Sequence, residues 1–168
     1  MKQALLFSLT LFTTTLFSQL NMTEIGYLDL VSMHSSDASD IWGYVDQSGN
    51  EYAIVGLNDG TSVVDISDPA NPVEVFYEPG MNSIWRDIKT WGDYAYVTTE
   101  AANGLLIIDL STLPGNTNLT TSYYTGPTGN EWESAHNLYI DENGYCYIFG
   151  ANRGEGGTII LDVKYSNI

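Results

Sequence analysis

The chain has 168 residues, with 21 acidic against 5 basic ones and a formal net charge of −16. Aromatic residues make up 12% of it, which excludes an acidic disordered tail, because such tails are poor in the side chains that build a core. The charge excludes sequence-independent nucleic-acid binding and adhesion to an anionic membrane, since both need a basic footprint.

Met1-Lys2-Gln3 opens the chain with one positive charge, and Ala4 to Phe17 follow with none. This pattern predicts a secretory signal peptide over residues 1–18, cut after Ser18. The apolar run falls short of the roughly 20 residues that span a bilayer. Loss of Lys2 with the leader leaves a net charge of −17. No other segment is long and apolar enough for an integral membrane span. Cys146 is the one cysteine, set in the apolar run Tyr145 to Phe149, and reads as a buried hydrophobe.

Three stretches repeat, beginning at Glu51, Asp93 and Gly144. Each has an aromatic-apolar strand, a Gly-containing turn, a β-branched strand and then an Asp. Those aspartates are Asp65, Asp109 and Asp162, with spacings of 44 and 53, and the turn glycines Gly60 and Gly104 also lie 44 apart. A period of roughly 40–50 residues with four short strands predicts β-propeller blades. The expected fold is all-β, a partial propeller of four-stranded antiparallel blades, and no helical periodicity of any length is present. Blades fall at about 39–79, 84–125 and 134–168. In the first, strands are expected at Ile41–Asp46, Glu51–Leu57, Ser62–Ile66 and Val73–Tyr77. The Asn58-Asp59-Gly60 turn is a hairpin signal, and Asp68 to Pro72 is a proline-bearing turn.

Residues 19–38 form an N-terminal segment. Asn21 to Tyr27 matches the pattern of Asn71 to Tyr77, so Thr23 to Leu30 is expected to be an orphan outer strand that closes a ring. Propellers typically need at least four blades, and fewer than three are present. The chain is therefore expected to be the front part of a longer protein.

The strings Val63-Val64-Asp65-Ile66-Ser67 and Ile107-Ile108-Asp109-Leu110-Ser111 resemble the LVIVD repeat. Ser39 to Val75, Ser83 to Lys89 and Ala135 to Leu138 resemble the choice-of-anchor B family. The resemblance covers nearly all of residues 21–163. It implies an exported bacterial protein, secreted or held at the outer cell surface by a C-terminal anchor that this sequence lacks. It supplies no catalytic residues.

Ser-His-Asp chemistry needs a hydroxyl beside a histidine, and the two histidines are His34 and His136. No G-x-S-x-G elbow and no zinc-ligand spacing occurs. Glu131 and Glu133 flank Trp132 and read as a solvated loop rather than a glycosidase pair. Asp46, Asn50, Asp141 and Asn143 offer hard oxygens that suit calcium, yet each also belongs in a hairpin turn.

The first strands of the blades open with Asp40-Ile41, Asp87-Ile88 and Asn137-Leu138, preceded by Ser39, Arg86 and His136. Innermost strands surround a propeller's channel, so these positions should ring one mouth. Trp42, Trp85 and Trp132 lie near them in sequence. The candidate ligand site is therefore Asp40, Trp42, Arg86, Asp87, His136 and Asn137. Its structural alternative has Asp and Asn bonding backbone N–H groups while Trp packs between blades. Asp65, Asp109 and Asp162 recur in every blade, which points to turn-forming structure. The expected function is a non-catalytic surface module binding a protein or glycan partner. The alternatives are a channel-mouth hydrolase and a calcium-stabilised structural module.

Overall fold

A computed structural model of the chain describes residues 22–164. The expected leader lies outside them. Eleven strands are described: β1 (Ala38–Val45), β2 (Glu51–Leu57), β3 (Gly60–Asp65), β4 (Val73–Pro79), β5 (Arg86–Trp91), β6 (Tyr94–Thr99), β7 (Leu105–Asp109), β8 (Thr121–Tyr124), β9 (Asn137–Ile140), β10 (Tyr145–Phe149) and β11 (Thr158–Asp162). They form antiparallel meanders in chain order, β1 to β4, β5 to β8 and β9 to β11. These are blades 1, 2 and 3, the last with three strands among the described residues. The all-β blade architecture read from the repeat is thus the observed one.

Register places successive cores. Opposed residues share a face of a sheet. Tyr52, Ile54 and Val63 of blade 1 meet Ile88, Ala95, Val97 and Ile108 of blade 2 in one buried cluster. The opposite face of blade 2, with Tyr96 and Leu105, meets Leu138, Cys146, Ile148 and Ile159 of blade 3 in a second. Both faces of blade 2 are buried by its neighbours. Its second and third strands are accordingly buried or half-buried at every position, without the alternation of a half-exposed sheet.

The repeated Asp and Gly have local causes. Asp65, Asp109 and Asp162 each accept the backbone N–H two residues on, from Ser67, Ser111 and Lys164, at 2.9, 2.9 and 3.1 Å. Each carboxylate turns the chain away from the third strand. At Gly60 and Gly104 a Cβ would strike the carbonyls of Glu78 and Tyr124 on the fourth strand, so the close approach admits only glycine.

The N-terminal segment carries a helix that the sequence pattern does not predict. Residues 22–29 pair with no strand, and a short helix follows, α1 (Leu30–His34), capped by Asp29. Leu28 and Leu30 pack on Ala53, Val55, Leu57 and Val64, the face of blade 1 that turns away from blade 2. His34 secures the helix, its Nε2 lying 2.7 Å from Glu74 Oε2 and its ring stacked on Tyr77 at 3.9 Å.

Candidate functional site

The first strands β1, β5 and β9 carry one polar position in common. Asp40 Oδ2 accepts the backbone N–H of Ile88 at 3.0 Å, and Asp87 Oδ2 accepts that of Leu138 at 2.7 Å. Each carboxylate therefore clasps the first strand of the next blade. Asp87 Oδ1 also takes a hydrogen bond from Lys89 Nζ at 2.8 Å. Ionised acceptors make strong bonds to amides, so these clasps fix the spacing of the blades at their inner edge.

Arg86 is buried, at 5% exposure. Its Nε donates to Leu57 O at 2.6 Å, and its Nη2 donates to Asn58 O and Met81 O. Burial lowers its pKa, offset by the nearby Tyr123, Tyr77 and Asp59. The side chain passes over Gly56 and Gly80, where a Cβ would crowd it. Its guanidinium is spent on backbone carbonyls, so Arg86 is a positioning residue that ties the segment after β4 to the end of β2.

That segment presents Trp85. Ser83 Oγ donates to Trp85 O at 2.8 Å and accepts the Trp85 N–H at 3.2 Å. The Trp85 side chain stays half exposed, and its ring meets the His136 ring edge-on at 6.1 Å. His136 Nδ1 bonds Glu100 Oε1. A cavity of about 280 Å³ opens here, lined by Ser39, Asp40, Trp85, Arg86, Asp87, His136 and Asn137. Five of the six expected site residues thus meet at one place.

Trp42 is the sixth and does not line it. Its Nε1 donates to Thr90 Oγ1 at 3.1 Å, and Lys89 Nζ sits 4.3 Å from its ring centre, so it braces blade 1 against blade 2. Trp132 is buried with Tyr96 and Leu105 in the core between blades 2 and 3. Trp85 is the aromatic that reaches the mouth. Its sequence signal was the departure from the alanines at the matching positions, Ala38 and Ala135.

Both histidines bond glutamates, and neither bonds a hydroxyl among the described residues. Ser39 Oγ donates to Gly56 O at 3.2 Å instead. Asp40, Asp87 and Glu100 outnumber Arg86 and Lys89 around the opening, which leaves it with a slight excess of negative charge.

The hairpin acids are occupied. Asp46 Oδ1 accepts the backbone N–H groups of Ser48 and Asn50, and its Oδ2 accepts Asn50 Nδ2. Asp141 Oδ1 accepts those of Asn143 and Tyr145. A calcium ion at either loop would have to displace these donors. Among the described residues no three His, Cys, Asp or Glu side chains converge on a common point.

Stacked antiparallel sheets with clasped inner strands define a β-propeller-type repeat module. The family model of the LVIVD repeat matches residues 37–77 and again 84–125, which are blades 1 and 2. The chain carries LVIVD repeats. Searches of curated proteins and of solved structures found no match.

Proposed function

We propose that the chain is part of an exported, cell-surface module of the choice-of-anchor B type, which binds a glycan-bearing partner without catalysis. The observation that carries this reading is the pairing of Trp85 with His136 across the cavity between blades 1, 2 and 3. These residues break the repeat, whereas the clasping aspartates follow it. An exposed, positioned indole beside carboxylates and an amide suits a sugar, whose C–H face packs on the ring while its hydroxyls bond the polar rim. The histidine–glutamate pairing, without a hydroxyl partner, favours binding over hydrolysis. The leader pattern and the family resemblance support export.

The test is an array of neutral oligosaccharides probed with the full chain and with Trp85→Ala and His136→Ala. Binding to at least one glycan, weakened about tenfold by Trp85→Ala, is expected, the scale of one lost aromatic contact. Binding that both variants retain unchanged would remove this site from the reading.

A further inference from the structure

A second cavity, of about 560 Å³, is larger than the first. Its walls are the same two chain segments one step earlier. Ser36 and Asp37 precede Ser39 and Asp40, while Ser83 and Ile84 precede Trp85 and Arg86. The remaining wall comes from α1 at Val31 and from the hairpin residues Asn58 and Asp59.

This cavity is preformed. Asn58 N donates to Asp37 O at 2.9 Å, Ser83 N to Asn58 O at 2.8 Å and Gly80 N to Asp59 O at 2.7 Å. Asp59 N donates to Ser36 Oγ at 3.1 Å. Every wall is thus welded to the next by a hydrogen bond, so little ordering would accompany binding. Within the wall, burial raises the Asp59 carboxyl, but hydrogen bonds from the Ser36 and Tyr77 side chains outweigh it and hold the group below its ordinary value.

The lining decides the class of ligand. Asp37 and Asp59 disfavour an anion. A purely cationic group would use acceptors alone, whereas Asn58, Asn82 and the serine hydroxyls also offer donors. Mixed donors and acceptors between two aliphatic walls, Val31 and Ile84, match a sugar ring with its alternating hydroxyls and C–H faces.

We propose that this cavity is a second sugar subsite continuous with the Trp85–His136 cavity, so that the ligand is an uncharged oligosaccharide spanning both. The proposal rests on the glycan reading of the first cavity and adds to it a ligand length and a charge.

Calorimetric titration of the full chain with chitobiose, chitotetraose, cellobiose, cellotetraose and tetragalacturonate tests it. A neutral tetrasaccharide should bind about tenfold or more tightly than its disaccharide. Tetragalacturonate should not bind. Asp37→Asn and Asn82→Ala should bring the tetrasaccharide down to the disaccharide's affinity and leave the disaccharide unchanged. Trp85→Ala should weaken both. Equal affinity for the two lengths, or indifference to Asp37→Asn and Asn82→Ala with Trp85→Ala still effective, overturns the second subsite and spares the first. Failure of every neutral sugar to bind, or indifference to Trp85→Ala, overturns both readings.

Discussion

Asp87, in the first strand of blade 2, accepts the backbone N–H of Leu138, in the first strand of blade 3, at 2.7 Å. Asp40 does the same for Ile88 one blade earlier, at 3.0 Å. A position that recurs in the sequence is thus a joint in the structure. The joint holds the mouth open to a fixed width, and the residues just before it are free to differ from blade to blade. That division of labour separates the recurring geometry of the repeat from the Trp85–His136 pair.

Asp87→Ala should destabilise the chain by about 2 kcal/mol, the scale of a hydrogen bond to a charged group. Asp87→Asn should cost less, because an amide oxygen still accepts the Leu138 N–H, and blade 3 carries Asn137 at the equivalent place. Urea denaturation measures both. Equal losses for the two variants would mean that the Lys89 pair, not the clasp, carries the energy.

Arg86→Ala should cost about 3 kcal/mol, since it strips donors from buried carbonyls and leaves a void beneath Gly80. Arg86→Lys should not restore stability, because one ammonium cannot span the carbonyls of Leu57, Asn58 and Met81 with the planar fork's geometry. Thermal melts of the two variants decide this. Full rescue by lysine would show that charge alone matters there.

The hairpin aspartates make the fold acid-sensitive. The Asn50 side chain is the largest influence holding the Asp46 carboxyl below its ordinary value of 3.8, and the Tyr145 N–H does this for Asp141. A carboxylate with a lowered folded pKa contributes stability that is fully present above the ordinary value. That stability is lost as pH falls through the folded value. Stability should therefore be level in this respect from pH 7 to about 5 and decline below 4. Asp46→Asn with Asp141→Asn should lower stability at pH 7 and flatten the decline, as followed by urea midpoints across pH. An unchanged slope would contradict the assignment.

Calcium should leave the melting temperature where chelator leaves it. Ligands that bind the folded form must raise it, and the oxygens of Asp46 and Asp141 are already held by backbone donors. A rise with millimolar calcium that Asp46→Asn abolishes would restore the cation reading.

Cys146 should resist thiol reagents in the folded chain. Burial first, and then the Asp87 charge, push its thiol up to about 12, so almost none is thiolate at pH 8. Labelling should appear only on unfolding in denaturant. Stoichiometric labelling of the native chain would mean that the core between blades 2 and 3 opens readily.

The strands were legible because each blade repeats an apolar pattern closed by glycine turns. Their observed bounds differ from expectation by a few residues at most, as at β1, which starts at Ala38 rather than Ile41. Asp65, Asp109 and Asp162 were legible as turn formers because their acceptors lie two residues away. The helix α1 was not. Five residues carry little periodicity, and what holds it, the His34–Glu74 bond, spans 40 positions. The clasps join residues 48 and 51 positions apart, so their donors follow from blade geometry and from no local pattern. Trp42, Trp85 and Trp132 looked alike in sequence. Their fates were set by which face of which strand or loop each occupies, and only Trp85 stands at the mouth.

The central claim is that Trp85 and His136 form the contact surface of a sugar-binding mouth. The most direct measurement is an NMR titration of the full chain with chitotetraose and cellotetraose, following the indole N–H signals of Trp42, Trp85 and Trp132 and the ring protons of His136. We expect saturable shifts at Trp85 and His136, with Trp42 and Trp132 unmoved. No saturable shift at Trp85 with either sugar, or shifts confined to Trp42, would contradict the account.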